Sequence, residues 1–326
     1  MRTTLVVPTY QRREAVLRLL RGLASQASPE LDVLVVVDGS TDGTADAVES
    51  LARGYPVPLR ALVQDNRGLS GARNAGLRAV DHDGVVWFLD DDMVPADGLV
   101  ERHARAHEVH ASDAFVLMGA CRIPPHQRVP GANRAWYDQV HDELVAAGAV
   151  TDPSLFSAAN TSARRAVWER VGAFHEGFVG WGGENYEIAV RLLRDRVSIA
   201  YDGDAVALHL QERGIVAFCR TKEGEGANAA RIAALHPDQT DLLFPPTAGA
   251  AATLRRLRRR PALLRGAARA AAVVAAGEVA LSRGRRHRAL DFAVSASRAA
   301  GVASVDGDGE LLSRLLDDRA GRLATR

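Results

Sequence analysis

The residues with the clearest chemistry are three consecutive carboxylates, Asp90-Asp91-Asp92, which directly follow the apolar run Val85–Leu89. Such a run is typical of a strand buried on both faces. Side chains alternate along a strand, so we expect Asp90 and Asp92 on one side and Asp91 on the other. Carboxylates this close repel one another, which either raises a pKa or calls for a cation. The alternative is a solvated turn, because Asp is a common turn residue.

The elements that must position this run are readable over the first 90 residues. Apolar runs alternate with segments of helical spacing in the order β-α-β-α-β-α-β. This order predicts an α/β fold with a Rossmann-like, mostly parallel sheet and right-handed crossovers. Ligands of such sheets bind at the carboxyl ends of the strands. Polar clusters follow each of the four predicted strands, so we expect them to meet at one rim: Pro8-Thr9-Tyr10, Asp38-Gly39-Ser40, Asp65-Asn66-Arg67 and Asp90-Asp91-Asp92.

The segments that follow the predicted strands do not match the common glycine-rich phosphate-binding loops. Neither a Walker-type loop nor a dinucleotide fingerprint follows the first predicted strand, and Gly68-Leu69-Ser70-Gly71 is a poor match to either. A site without a glycine cradle can instead hold a diphosphate through a divalent cation. Carboxylate oxygens favour Mg²⁺ or Mn²⁺, which keep open positions for phosphate oxygens. The carboxylate run therefore predicts a metal–diphosphate site, where the cation would neutralise a leaving nucleoside diphosphate.

Six motifs in succession resemble those of family 2 glycosyltransferases of the GT-A fold. They are VVPTY (6–10), VVVDGSTDGT (35–44), NRGLSGARNAG (66–76), FLDDDM (88–93), NTSARRAVWERVGAFHEGF (160–178) and GWGGENYEIAVRL (180–192). The resemblance covers roughly residues 3–226 and implies a nucleotide-sugar donor, most often a UDP sugar, a hydroxyl acceptor and Mn²⁺ or Mg²⁺. We expect three parts along the chain: a nucleotide-sugar half (1–115), an acceptor half (116–240), and a region (241–326) made of a linker at 241–253 and Arg- and Ala-rich helices at 254–326. Within the acceptor half, residues 121–153 show no strong period, whereas the spacing predicts a helix at 188–194 and strands at 197–201 and 205–209.

The resemblance also implies roles for individual residues at the donor site. Pro8, Thr9 and Tyr10 would line the base pocket, and Asp38 would hydrogen-bond the base. Arg73 would lie near the diphosphate, and Asp90 and Asp91 would belong to the donor-binding set, with Asp90 facing ribose or the donor sugar. Asp92 would bind the metal, together with His209 and with Asp90 as a further candidate ligand.

On the acceptor side, one departure from the family pattern affects the mechanism. Inverting relatives carry an Asp general base after the Glu of this motif, and here that position is Asn185, whose amide cannot accept a proton at neutral pH. Either Glu184 or Glu187 would then act as the base, or no base is needed. The WGGEN string also resembles the retaining polypeptide N-acetylgalactosaminyltransferases, in which case Glu184 would stabilise positive charge at the anomeric carbon or orient the acceptor. Further residues are expected at the acceptor: Trp181, Gly183 and Asn160.

Bulk composition narrows the cellular setting. The 326 residues include two cysteines, Cys121 and Cys219, without metal-ligand spacing, and no stretch resembles a signal peptide or a membrane span, so we expect a cytoplasmic protein. Residues 254–288 are rich in Arg. This block is interpreted first as a solvated amphipathic helix pair, then as a peripheral contact with an anionic membrane. Nucleic-acid binding is not expected, because no recognition motif accompanies the charge.

Two other interpretations of the sequence are kept. His103, His107 and His110 mimic a zinc pair, but they lack the H-E-x-x-H arrangement and are predicted to form a solvated helix face. A nucleotide-sugar-binding protein that has lost transferase activity is the first alternative function, because of Asn185. A nucleotidyltransferase is the second, although PTYQRRE (8–14) is not the Gly- and Lys-rich loop that it would need.

Overall fold

A computed structural model describes residues 1–110, 112–127, 129, 131–178, 180, 182–210, 215–242, 254, 260–276, 283–306 and 311–312. The chain divides into two units. The first contains Met1–Arg128, Arg134–Gly177 and Glu184–Gln211. The second contains Val129–Asn133, Phe178–Gly183 and Glu212–Arg326.

The first unit is built on an eight-stranded sheet. Its strands are β1 (Thr3–Thr9), β2 (Leu31–Asp38), β3 (Leu59–Gln64), β4 (Val85–Leu89), β5 (Met93–Pro95), β6 (Phe115–Arg122), β7 (Asn160–Arg164) and β8 (Ser198–His209). Its helices are α1 (Arg13–Ala24), α2 (Thr44–Ala52), α3 (Gly68–Arg78), α4 (Leu99–Val109), α5 (Gly131–Ala147), α6 (Arg165–Arg170) and α7 (Glu184–Arg194). The strand order is β3-β2-β1-β4-β7-β6-β8-β5.

The predicted parallel half is confirmed. β1 pairs in parallel with both β2 and β4, and β2 pairs in parallel with β3. β1 and β4 are buried throughout, and their alternating side chains feed two hydrophobic cores. Leu5 and Trp87 pack with α1 on one face, whereas Val6 and Phe88 pack with α3 and α6 on the other. A sheet covered on both faces leaves the strand ends as the accessible polar surface.

Antiparallel pairing in the second half of the sheet brings distant residues back to this rim. β7 runs antiparallel between β4 and β6, and the short β5 runs antiparallel to β8. In this last pair Met93 lies opposite His209. The strands predicted at 197–201 and 205–209 form one strand, whose register shifts opposite Gly119 and Ala120.

Two helices differ from expectation. α5 was not predicted, because residues 121–153 show no strong period. α7 begins at Glu184, about one turn before the helix predicted over 188–194. The earlier start places Glu184 and Asn185 in the first helical turn.

The second unit contains α8 (Ile215–Leu235), α9 (Pro261–Ala276) and α10 (Arg283–Val305). α8 and α10 approach closely at two glycines. A Cβ at Gly226 would overlap the Arg298 carbonyl, and one at Gly301 would overlap the Glu223 carbonyl. Within the part of the chain that the structure describes, no helix is long and apolar enough to cross a membrane. The linker predicted at 241–253 lies outside the described residues from 243 onward, as does much of the Arg-rich block, so both remain predictions.

Candidate functional site

The end of β4 and the end of β8 meet at the carboxylate run. Asp92 directly precedes β5, and the pairing of Met93 with His209 holds the two side chains together. The backbone nitrogen of Leu210 also donates to the Asp92 carbonyl at 2.9 Å. As a result, Oδ2 of Asp92 lies 3.4 Å from Nε2 of His209. On the other side of the imidazole, Nδ1 lies 3.0 Å from the hydroxyl of Tyr137 on α5.

Arg12 bridges the last two members of the run, Asp91 and Asp92. Nη1 of Arg12 donates to Asp91 Oδ1 at 3.0 Å and to Asp92 Oδ2 at 2.7 Å. Asp91 is buried, and its second oxygen accepts a hydrogen bond from the Thr9 hydroxyl at 2.8 Å. Burial raises the pKa of Asp91 to about 7, because the attraction of Arg12 offsets desolvation only in part. Burial also acts on Asp92, but the hydrogen bonds and charges of His209 and Arg12 outweigh it and hold that pKa well below its usual range.

Arg73 lies at the centre of a second cluster. It is fully buried on α3, and its guanidinium lies over the Phe174 ring at 5.1 Å. Nη2 donates to Asp90 Oδ1 at 2.9 Å, and Nη1 donates to Asn185 Oδ1 at 3.2 Å. Nη1 is also 3.8 Å from Glu184 Oε1. One buried cation therefore connects the carboxylate run to the first turn of α7, and the role of Arg73 near the diphosphate remains a prediction.

The end of β2 is organised around Asp38. Its Oδ1 accepts hydrogen bonds from Gln64 Nε2 at 2.6 Å and from the backbone nitrogen of Arg67 at 2.8 Å. Gly39, with φ +76°, lets Asn66 approach closely, and a Cβ there would contact the Asn66 backbone. Pro8 and Thr9 are buried, whereas Tyr10 is 51% exposed at the rim. The assignment of these residues to a base pocket remains a prediction.

The expectation that Asn160 faces the acceptor is wrong. The side chain is fully buried on β7. Its Oδ1 lies 3.1 Å from Trp87 Nε1 and 2.9 Å from His103 Nε2, and its Nδ2 donates to the Ala205 carbonyl at 2.9 Å. The amide therefore connects β7 to Trp87 on β4, to His103 on α4 and to Ala205 on β8.

The prediction of a solvated histidine face on α4 is also wrong. His103 and His107 are buried, and only His110 is exposed. His103 Nδ1 and His107 Nε2 each lie 2.8 Å from Ser162 Oγ, and His103 stacks on Trp87 with ring centroids 4.2 Å apart. The spacing that mimicked a metal pair therefore serves a buried hydrogen-bond network.

The candidate bases on α7 differ in their surroundings. Glu187 is buried in a two-point ion pair, with Arg191 Nε 2.8 Å from Oε1 and Nη2 2.6 Å from Oε2. This pairing does not support Glu187 as the base and leaves Glu184 as the stronger candidate. Gly183 belongs to the second unit and has φ +98°, which only glycine adopts readily. Trp181 lies outside the described residues.

The donor set at Asp92 and His209 fits a divalent cation. Adjacent ligands on an octahedral ion with bonds near 2.1 Å lie about 3 Å apart, close to the observed carboxylate–imidazole distance. Among the described residues no group of three or more His, Cys, Asp or Glu could hold a metal. Two protein ligands would therefore leave the other positions to phosphate oxygens and water.

Family models match both halves of the first unit. The model for glycosyl transferase family 2 matches residues 4–138, which contain the carboxylate run. By this match, residues 4–138 are similar to family 2 glycosyltransferases. The model for the N-terminal domain of galactosyltransferase matches residues 151–204, which contain α7 and most of β8. The prediction of a glycosyltransferase is thereby confirmed at the level of its domain.

Curated relatives are glycosyltransferases of moderate similarity. The glycosyltransferase YfnE of Bacillus subtilis is 24% identical over 282 residues, which cover 71% of this chain and 69% of that protein. Validoxylamine A glucosyltransferase of Streptomyces hygroscopicus subsp. jinggangensis is 32% identical over 219 residues, or 58% of this chain. The chain spans half of that relative's length.

Solved structures confirm the predicted GT-A fold. The mannosyltransferase PcManGT from Pyrobaculum calidifontis, in complex with GDP-Man and Mn²⁺, superposes with a TM-score of 0.60 at 20% identity and covers 94% of this chain and 86% of its own. Staphylococcus aureus TarS superposes with a TM-score of 0.56 at 20% identity over 94% of this chain and 92% of its own.

Two residues of this site, Arg12 and Tyr137, carry no identifying signal in the sequence. Arg12 lies two residues beyond the VVPTY motif, in a stretch with a second arginine, and nothing in the spacing distinguishes Arg12 from Arg13. Tyr137 lies on the unpredicted helix α5. Both contacts join residues more than 70 positions apart, so only the folded sheet brings them together.

Proposed function

We propose that this protein transfers a sugar from a nucleotide-diphosphate sugar, with a UDP sugar as the first candidate, to an acceptor hydroxyl. The observation that carries the proposal is the placement of Asp90, Asp92 and His209 at the carboxyl ends of β4 and β8, with both carboxylates inside the region that the family 2 model matches. The acceptor would be a saccharide, a lipid-linked saccharide or a secondary metabolite. Relatives support the class, since one is named for glucosyl transfer to validoxylamine A and TarS was solved with UDP-GlcNAc.

The metal site of this proposal consists of Asp92 and His209, with Mn²⁺ or Mg²⁺ as the ion. When bound, the cation would supply Lewis acidity that neutralises charge on the leaving diphosphate. Asp92 stays ionised over the working pH range because His209 and Arg12 lower its pKa. Tyr137 holds the imidazole from its far nitrogen, the kind of contact that orients metal-binding histidines.

Asp90 would orient ribose or the donor sugar, and Arg73 holds it in place. Because Arg73 is fully buried and hydrogen-bonded to Asp90 at 2.9 Å, the carboxylate is fixed before the donor arrives. Pro8, Thr9, Tyr10 and Asp38 would surround the base. Preorganised side chains of this kind spare the enzyme the cost of ordering them at the transition state.

Glu184 would act beside the anomeric carbon, in keeping with the resemblance of WGGEN to the retaining N-acetylgalactosaminyltransferases. It lies in the first turn of α7, is 6% exposed, and is 3.8 Å from the Arg73 guanidinium. A carboxylate held beside this cation suits stabilisation of positive charge better than proton abstraction. Asn185 accepts a hydrogen bond from Arg73, and in this proposal it would hold the guanidinium in place.

The first experiment is a thermal-shift screen of UDP, GDP and other nucleoside diphosphates with and without Mn²⁺. A ligand at a hundred times its dissociation constant stabilises a protein by about 2.7 kcal/mol. We expect one nucleotide to give a metal-dependent shift in wild type and in the exposed-site control Asp97→Asn, and none in Asp92→Asn. If no nucleotide shifts the melting midpoint of any of these proteins, the alternative of a domain that has lost donor binding is favoured.

Turnover then tests the assignment of Glu184. Glu184→Gln should lower kcat by at least about a hundredfold while leaving the nucleotide shift intact. The product's anomeric configuration, measured by NMR in the same assay, assigns retention or inversion. Near-normal turnover in Glu184→Gln would remove Glu184 from the mechanism but would leave the donor site standing.

A further inference from the structure

One oxygen of Asp92 lies close to two basic side chains, those of His209 and Arg12. Oδ2 faces Nε2 of His209 at 3.4 Å, and the same atom accepts the hydrogen bond from Arg12 Nη1 at 2.7 Å. The guanidinium therefore occupies the carboxylate oxygen that, with His209, makes up the proposed metal site. Arg12 and a divalent cation cannot both contact this oxygen without strong repulsion between their positive charges.

We propose that Arg12 competes with the divalent cation for Asp92, so that the cation binds weakly to the free protein and tightly only together with the donor's diphosphate. This inference rests on the proposed function, because it takes Asp92 as a metal ligand. Arg12 would leave Oδ2 when the cation arrives, and the phosphate oxygens would take the guanidinium. Guanidinium–phosphate contacts are among the strongest charge-assisted hydrogen bonds, which makes the exchange favourable only when the nucleotide is present.

The charge balance explains why the free protein needs an internal cation. Asp91 is 6% exposed, and the Asp92 side chain is 15% exposed. Adjacent buried carboxylates repel, and Arg12 is the cation that touches both of them. When Arg12 turns away, the Thr9 hydroxyl still holds Asp91 at 2.8 Å, so the buried carboxylate keeps a partner. A divalent cation at Asp92 would then supply the lost positive charge.

The Arg12 side chain is more exposed than that of Arg73. The Arg12 side chain is 30% exposed, and its backbone carbonyl is anchored by the nitrogens of Ala15 and Val16 at 3.1 Å each. The side chain can therefore change partners without disturbing the start of α1. Arg73 has no exposed surface and is hydrogen-bonded to Asp90 and Asn185, so it cannot exchange in the same way.

The test measures Mn²⁺ affinity by isothermal titration calorimetry, with and without UDP or the nucleotide found in the thermal-shift screen. The variants are Arg12→Gln, Arg12→Lys and Asp92→Asn, and the matched control is Arg13→Gln, an exposed arginine one residue away. Arg12→Gln should bind Mn²⁺ at least about tenfold more tightly than wild type when no nucleotide is present. The gain in Mn²⁺ affinity on adding nucleotide should shrink in Arg12→Gln, whereas Arg12→Lys and Arg13→Gln should resemble wild type.

The outcomes separate this inference from the function on which it rests. If Asp92→Asn abolishes Mn²⁺ binding but Arg12→Gln leaves the nucleotide-free affinity unchanged or weaker, competition is refuted and the metal site stands. The proposed metal site itself is refuted if, with nucleotide present, wild type binds no Mn²⁺ or binds it no more tightly than Asp92→Asn does. Should Arg12→Gln fold poorly by circular dichroism, Arg12→Met replaces it under the same criterion.

Discussion

Replacing His107 with Gln should make the free energy of unfolding of this protein fall less on acidification. His107 and His103 lie on α4 and are each 1% exposed, with both rings bonded to Ser162 Oγ. Burial lowers the pKa of His103 to about 3 and that of His107 to about 4. Nδ1 of His107 is buried and, among the described residues, has no hydrogen-bond partner. Gln can keep the bond to Ser162 and does not titrate.

The sign and size follow from proton linkage. Both folded pKa values lie below the unfolded value of about 6.5, so the unfolded chain binds more protons below that pH. The stability from each neutral histidine is complete above about pH 6.5 and is lost as the pH falls towards the folded pKa. Between about pH 7.5 and 5, the loss is about 2 kcal/mol for each histidine, or about 4 kcal/mol for both. A loss of this size is a large share of the total for a domain, about 5–15 kcal/mol.

The assay is urea unfolding at the two pH values for wild type, His107→Gln and the control His110→Gln. His110 is exposed, so its replacement should leave the pH dependence unchanged. His107→Gln should lose about 2 kcal/mol less than wild type between pH 7.5 and 5, since His103 still titrates. The reasoning is refuted if wild type and His107→Gln show the same difference in unfolding free energy between the two pH values.

Three further predictions concern the rim and the sheet. Tyr137→Phe removes the hydroxyl 3.0 Å from His209 Nδ1 and should weaken nucleotide-dependent Mn²⁺ binding by about 10- to 100-fold, measured by calorimetry at an unchanged melting midpoint. Arg73→Met breaks the ion pair with Asp90 and should cost about 3 kcal/mol in urea unfolding, at the low end for a buried pair because Asp90 is partly exposed. Gly119→Ala should destabilise by about 1–3 kcal/mol, since its Cβ would overlap Asn160 and the Ala205 carbonyl; an unchanged midpoint would contradict this packing.

The parallel half of the fold was predictable because its signals are local. Apolar runs such as Val85–Leu89 are too continuous for a surface strand, and the polar residues that follow them must lie at strand ends. The position of Asp38 and of the carboxylate run at one rim follows from that argument alone. The GT-A fold and the pairing of Asp92 with His209 came from the family resemblance, because no local pattern specifies that β5 returns antiparallel to β8.

The predictions for Asn160 and His103 were wrong because contacts between residues distant in sequence determine the surroundings of these polar side chains. Asn160 and His103 carry hydrophilic side chains, and their sequence neighbours give no sign that the two meet beneath the sheet at 2.9 Å. A buried polar network satisfies its own hydrogen bonds, so composition alone cannot distinguish it from a solvated face. Arg12 was missed for the same reason, since its partners are 79 and 80 residues away.

The charge around Arg73 accounts for an amide at position 185. One guanidinium already serves Asp90 at 2.9 Å and lies 3.8 Å from Glu184. Asn185 adds an acceptor for Arg73 Nη1 at 3.2 Å and for the Ala158 nitrogen at 3.3 Å, and it adds no charge. A third carboxylate here would repel both of the others. Asn185 therefore satisfies Arg73 without a third negative charge, which makes the amide compatible with an active enzyme and not only with a decayed one.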